Sequence, residues 1–474
     1  MVDLPRNTKV PLWSGSQSRQ ITKRIVVECD LVLQTPAHFG SGDEAGSLVP
    51  LIVDELTQQP LLTGASIAGA LRSYLWTVQY GYGCAQTSEG VAALLFGGSR
   101  QDNDGHQSRL IVNDAYGKNT CVELRDGVKI NSKSRTADEG KLYTFMVWAA
   151  GATFRLRFEL LITENDDQVQ LRQALAVALD GLQTGEVTLG ARKRRGYGRV
   201  SVAVWYVREF ELTNHDELLA WVRDEDTHMT KKHAVGDLFE ALHVSTKLED
   251  KRERFMFQGL FNLQSSLLIR AESTVTDMGH MRSRGKPVLS GTSLSGAIRA
   301  RALKIANTLE IPDAEILINA MFGIFGDEAE DKRTASRVFV EEHLIEGGES
   351  EQWAQSRVSI DRFTGGALDT ALFDQQPQFG GQVHVNLELR KPADREIGLL
   401  LLVWKDLWAG DLPLGGESSV GRGRLNGQSA TLTYQLTYQK QTWILTASEA
   451  ELSVNGDKPR LEAFVAALLE KQPT

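Results

Sequence analysis

Apolar positions alternate with polar ones at Ile25, Val27, Cys29, Leu31 and Leu33, and again at Phe261, Leu263, Leu267 and Ile269 with Ser265 keeping the register. A period of two predicts half-buried strands, because successive side chains on a strand point to opposite faces. Two later stretches change period. Leu171, Leu175, Ala178 and Leu182, and likewise Ile397, Leu401, Trp404 and Trp408, recur at i, i+4, i+7 and i+11 and predict amphipathic helices. Each of these helices is followed by a glycine-rich loop and a further strand. A last apolar stripe, Leu461, Phe464, Leu468 and Leu469, predicts a C-terminal amphipathic helix.

The elements come in two sets because the chain repeats itself. Gly64-Ala65-Ser66-Ile67-Ala68-Gly69-Ala70-Leu71-Arg72 is echoed by Gly291-Thr292-Ser293-Leu294-Ser295-Gly296-Ala297-Ile298-Arg299, at an offset of 227 residues. Phe96-Gly97 then pairs with Phe322-Gly323, Ser108–Val112 with Ser336–Val340, Val128–Asn131 with Val358–Asp361, and Leu189-Gly190 … Gly196-Tyr197-Gly198-Arg199 with Leu414-Gly415 … Gly421-Arg422-Gly423-Arg424. Collinear matches at a nearly constant offset identify a tandem duplication. Strand, helix, strands, helix, loop, strand fits an α+β, ferredoxin-like (split βαβ, RRM-like) module rather than a doubly wound sheet. The expected division is residues 1–208, an acidic linker at 209–256, 257–434, and a C-terminal extension at 435–474. Ser66 and Ser293 are expected to cap the helices that carry Arg72 and Arg299 about two turns in.

Composition narrows the function. With 474 residues, 42% of them hydrophobic and 24% charged, the chain is of ordinary globular type. The polar start and the lack of a long apolar run predict a soluble cytoplasmic protein without a membrane span. Three cysteines, Cys29, Cys84 and Cys121, have no metal or disulfide spacing and are expected to be buried thiols. A net charge of −9 argues mildly against nucleic acid, but bases cluster locally, above all at Arg192-Lys193-Arg194-Arg195. Closely spaced glycines beside Arg199 and Arg424 predict loops whose N–H groups meet an anion without interference from Cβ atoms. Dinucleotide, P-loop and nucleophile-elbow spacings are all absent, so nucleotide hydrolysis and serine hydrolysis drop out.

The paired G-x-S-[IL]-x-G-A-[LI]-R motifs, the Phe-Gly after each, the LGx5GxGR loops and the segment Arg357–Ala367 with Ala371-Leu372-Phe373 resemble the RAMP-superfamily backbone subunits of type III CRISPR effectors, in a fused, type III-D-like arrangement. The resemblance implies guide RNA held by the glycine loops and nearby residues: Ser66, Arg72, Lys129, Lys133, Arg192, Lys193, Arg194, Arg195, Gly196, Gly198, Arg199, Ser293, Arg299, Arg357, Arg362, Gly421, Gly423 and Arg424. It implies β-hairpin thumbs near 132–150 and 362–381, with Phe145, Met146, Trp148 or Phe373 as apolar wedges. It also implies complementary target RNA, further backbone subunits, a large signalling subunit and small subunits as partners. In catalytic members an aspartate in the loop after the first strand serves metal-dependent cleavage of target RNA. Here the corresponding residues are Asp43 and Asp277, as Mg2+ ligands, with Glu44, His38 and His280 as further candidates and no organic cofactor. The spacing to the following proline departs from the family's. A non-cutting guide-RNA scaffold and a guide-processing endonuclease remain as alternatives.

Overall fold

The strand Ile21–Leu33 is central to the first sheet because its inward residues, Ile25, Val27, Cys29, Leu31 and Leu33, are all buried. It pairs antiparallel with Thr153–Thr163 on one side and Val200–Glu211 on the other. Leu110–Val112 and Ala115–Lys118 add to the outer edge of Thr153–Thr163. The helices Gly64–Tyr80 and Gln168–Gln183 cover the apolar face. The second half repeats this plan around Arg254–Leu263, flanked by Gln382–Arg390 and Leu425–Gln435, with Val338–Val340 and His343–Glu346 outside Gln382–Arg390. Its helices are Gly291–Thr308 and Asp394–Trp408. Each half thus has the strand order and two-helix layer of the ferredoxin-like fold. This is a computed structural model, and it describes residues 20–40, 50–87, 89–98, 107–130, 137–223, 233–273, 275–324, 333–349, 353–447 and 452–470.

Several sequence expectations shift. The second central strand starts at Arg254 and ends at Leu263, seven residues upstream of the predicted run's start, with Phe255, Phe257 and Phe261 as its core. The alternation is interrupted at Gly259, where a Cβ would lie 2.7 Å from the Trp404 ring; the indole fills the place a side chain would take. Ser266-Leu267 forms a separate short strand with Gln378-Phe379. The helices begin at Gly64 and Gly291, with Thr63 and Ser290 at the N-cap positions, so Ser66 and Ser293 lie inside the first turn and are not the caps. Of the expected linker, Leu238, Phe239 and Leu242 enter the first core. The expected extension also continues the second module: Lys440–Ala447 pairs with Leu425–Gln435, and Phe464 of the helix Lys458–Leu469 is fully buried against Phe255 and Trp443. Cys29 is buried, which pushes its thiol well up from its ordinary value, but Cys84 and Cys121 are exposed. Among the described residues, no helix is long and apolar enough to cross a membrane.

Candidate nucleic-acid interface

The repeated motifs turn out to touch one another. Arg72 donates to the Gly98 carbonyl at 3.3 Å, and Arg299 donates to the Gly323 carbonyl at 2.9 Å and to Asn319 Oδ1 at 2.7 Å. Each arginine therefore satisfies acceptors around the Phe-Gly helix end, where carbonyls lack partners within the helix. Ser108 Oγ donates to the Leu95 and Leu110 carbonyls, and Ser336 Oγ to those of Met321 and Val338. The next residues, Arg109 and Arg337, reach Asp166 and Glu396 beside the second helix of each module. Arg72 and Arg299 are thus braces of the scaffold.

The glycine loops share one backbone. Residues Arg192 and Glu417 are left-handed (φ 58° and 60°), as are Gly196 and Gly421 (φ 88° and 87°), around a one-turn 3-10 helix. A Cβ at Gly198 would meet Leu189 O at 1.8 Å and one at Gly423 would meet Leu414 O at 1.9 Å, so both positions require glycine. Their N–H groups already donate to Pro36 O and Ser266 O, at 2.8 and 2.7 Å. Those donors are turned to the chain's own backbone and not to an anion, contrary to the sequence expectation.

The surroundings of the two loops differ. The first loop is pressed against the second module: a Cβ at Gly196 would lie 2.4 Å from Glu342 N, and one at Gly291 would lie 2.4 Å from Arg195 O. Arg194 stands over the Phe339 ring and Arg199 pairs with Glu341. Burial, together with Arg194 and Arg390, lowers the Lys193 amine. Arg192 stacks 4.0 Å from the Phe145 ring centre and donates to Tyr143 Oη at 2.9 Å. Nearby Arg125, 1% exposed, bridges Glu123 of its own module at 3.0 Å and Glu342 of the other at 3.3 Å. In the second loop Glu417 replaces Arg192 and pairs with Arg357 at 3.0 Å and Arg422 at 3.1 Å. Arg424 donates to Gly410 O, and nothing lies within 4 Å of a Cβ at Gly421.

Each module projects a hairpin ribbon, Val122–Ile130 with Ala137–Trp148 and Gln355–Ile360 with Ala367–Gln376, the second continued at its base by Met278–His280 pairing parallel with Gln375 and Gln376. Both start upstream of the expected thumbs. Phe145 and Trp148 are buried strand core, with Phe145 packed on Tyr197, while Met146 and Phe373 are half-buried. The exposed apolar residues are others, among them Leu124 and Ile130 on the first ribbon, Val358, Ile360 and Leu372 on the second, and Phe363 at its tip, fully exposed beside exposed Arg362. Asp361 fixes that tip by accepting from Phe363 N at 2.7 Å and Thr364 N at 2.9 Å, bonds that lower its carboxyl. Lys129 lies in the first ribbon strand, and Lys133 lies outside the described residues.

Asp277 is exposed, and its Oδ2 accepts from the Asp374 N–H at 2.8 Å, which fixes the carboxylate to the base of the second ribbon. Asp374, on the ribbon strand Ala367–Gln376 and with its Oδ1 buried without a partner among the described residues, is a second carboxylate that sequence reasoning passed over. The signal was its place directly after Phe373. Asp43 and Glu44 lie outside the described residues. His280 is buried; its Nδ1 accepts from Ile269 N at 3.2 Å and its Nε2 faces Val288 O at 3.1 Å, and burial lowers it to about 4. Both ring nitrogens are engaged by backbone, so the ring holds the loop's shape. His38 is buried as well, with Nδ1 2.6 Å from Met146 O. No group of three or more His, Cys, Asp or Glu residues suited to a metal ion occurs among the described residues.

Two ferredoxin-like modules, each with a glycine loop and a projecting ribbon, define a class of tandem ribbon-bearing modules, and the matches to known proteins agree. The profile of the RAMP superfamily matches residues 30–201 and 278–426, more than half of the chain, and the protein belongs to that superfamily. It is similar to the CRISPR system endoribonuclease Csm3 of Streptococcus thermophilus, with 27% identity over 195 residues that make up 38% of this chain and 86% of the relative.

Proposed function

We propose that the protein is a guide-RNA-binding backbone subunit of a type III CRISPR ribonucleoprotein and that its second module cuts guide-paired target RNA. The observation that carries this reading is the second ribbon: Phe363, Ile360 and Leu372 expose apolar surface beside Arg362 and Arg357, on a RAMP scaffold. Exposed apolar and aromatic side chains insert against bases, and neighbouring arginines meet phosphates. The similarity to a CRISPR endoribonuclease supports the same reading. Guide RNA, complementary target RNA and the other subunits of such an effector are the partners this implies.

Asp277 is the cutting residue in this account. Its carboxylate is exposed yet fixed by the Asp374 N–H, so it has one oxygen to offer a ligand in a constant place. Such a site suits Mg2+ held by one or two carboxylates, with water and RNA phosphate completing the shell. The ion would stabilise charge on the scissile phosphate. Asp277 would hold it, the Asp374 N–H keeps that carboxylate in place, and the ribbon would position the strand to be cut. The test is cleavage of labelled guide-complementary RNA by the assembled complex with Mg2+. Asp277→Ala should abolish one specific product while guide binding persists. An unchanged product pattern would favour the scaffold reading, in which neighbouring subunits cut.

A further inference from the structure

The loop that carries Asp277 belongs to the second module, but its far end is held by the first. From Asp277 the chain enters Met278–His280, which pairs with Gln375 and Gln376 on one side and with Arg270 and Ala271 on the other. It then turns over in a hairpin, Arg282-Ser283 against Lys286-Pro287. Little slack separates Asp277 from that hairpin. Met281 N donates to Ile269 O at 2.8 Å, Val288 N donates to Met281 O at 3.1 Å, and the buried His280 ring spans Ile269 N and Val288 O. A tightly packed segment transmits a displacement rather than absorbing it, so a shift of the hairpin reaches Asp277.

The hairpin tip rests on the first module's ribbon. Glu123, on the strand Val122–Ile130 with its side chain 15% exposed, accepts at Oε1 from Ser283 Oγ at 3.1 Å and from Arg284 N at 2.8 Å. Its other oxygen accepts from Arg125 at 3.0 Å, and Arg125 also holds Glu342, so both ends of the carboxylate are fixed. Ser283 is buried, and Glu123 gives its hydroxyl the acceptor a buried donor needs. Arg284 is left-handed (φ 48°), and its guanidinium donates to Asn119 O, just ahead of the first ribbon. The second ribbon carries no copy of this brace. Trp353 and Gln355 stand where Glu123 and Arg125 stand on the first; Trp353 is exposed and turns its indole N–H to Glu349. An indole has no acceptor to offer a hairpin.

We infer that Glu123 is a positioning residue for the second module's cutting site: by holding Ser283 and Arg284 it fixes the Asp277 loop, and the site is complete only with the first module's ribbon against it. The inference rests on the reading of Asp277 as the cutting residue and adds what keeps that carboxylate aligned from outside its own module.

Two measurements on the same variants test it: hydrogen exchange on the full-length, RNA-free chain, and single-turnover cleavage of guide-complementary RNA by the assembled complex with Mg2+. In Glu123→Ala, exchange should quicken at the amides of Arg284 and of Asp374, the donor to Asp277. Cleavage at the Asp277 site should slow about ten- to a hundredfold with target binding unchanged, the loss expected when a reacting group is misplaced. Glu123→Gln keeps an oxygen for Ser283 and Arg284 and should restore both. Arg284→Gly suits the left-handed backbone, leaves Glu123 with Arg125, and removes the bond to Asn119; it should move both readouts the same way by less. Exchange at Asp374 unchanged in both Glu123→Ala and Arg284→Gly would overturn the inference whether or not Asp277 cuts. Wild-type cleavage by Glu123→Ala, where Asp277→Ala removes the product, would overturn it and leave the cutting reading standing. An unchanged product pattern in Asp277→Ala would overturn both.

Discussion

The two glycine loops have the same backbone and opposite surroundings. In the first, Gly196 and Arg195 are pressed against the second module, and Arg192, Arg194 and Arg199 are spent on Phe145, Tyr143, Phe339 and Glu341. In the second, Gly421 is uncovered and Glu417 gathers Arg357 and Arg422. Duplication preserved the turn, and the side chains then diverged to suit an internal junction and a free end. The densest basic run of the sequence is thereby a joint within the chain, and the exposed base and aromatic pair, Arg362 and Phe363, lies elsewhere.

Cutting the joint should have the largest effect. Arg125→Ala leaves Glu342 buried and unpaired across the junction, and breaking such a pair costs about 3–5 kcal/mol. Urea unfolding should show the loss, whereas Gln355→Ala at the matching position should cost far less. An equal loss would mean the junction is not special. The glycines sharpen the contrast. Gly421→Ala meets only the left-handed backbone penalty of about 1–2 kcal/mol, whereas Gly196→Ala adds a collision with Glu342 N and should cost clearly more in the same measurement.

The histidines give a smaller, pH-dependent difference. His280, lowered to about 4 by burial, is held neutral when folded, so its contribution is full above its ordinary value of 6.5 and declines as pH falls from there toward 4. The decline amounts to about 3 kcal/mol if the unfolded chain titrates normally. The pH dependence of stability over that window should flatten in His280→Gln. A slope unchanged by the substitution would place the acid sensitivity in other groups.

The duplication was legible because local spacing carries it: Gly64–Arg72, Phe96-Gly97 and Ser108–Val112 recur in order. What the spacing could not convey is that Arg72 and Ser108 reach backbone carbonyls, since a carbonyl leaves no mark in the sequence. Alternation also does not say which face of a ribbon is covered. Phe145 and Trp148 looked suited to insertion, but Tyr197 and the first core bury them, and Leu124 and Ile130 face outward. The start of the second central strand was misplaced because Gly259 interrupts the pattern that Trp404 completes from a distant helix. The junction itself was invisible. It pairs residues more than a hundred positions apart, and only the fold brings Arg125 to Glu342 or Arg199 to Glu341.

Salt-dependent binding of guide RNA to the full-length chain tests the central claim most directly. If the second ribbon holds RNA, replacing Arg357 and Arg362 together by alanine should weaken binding and flatten the plot of log affinity against log salt by about two phosphate contacts' worth. An affinity and slope identical to wild type would contradict it.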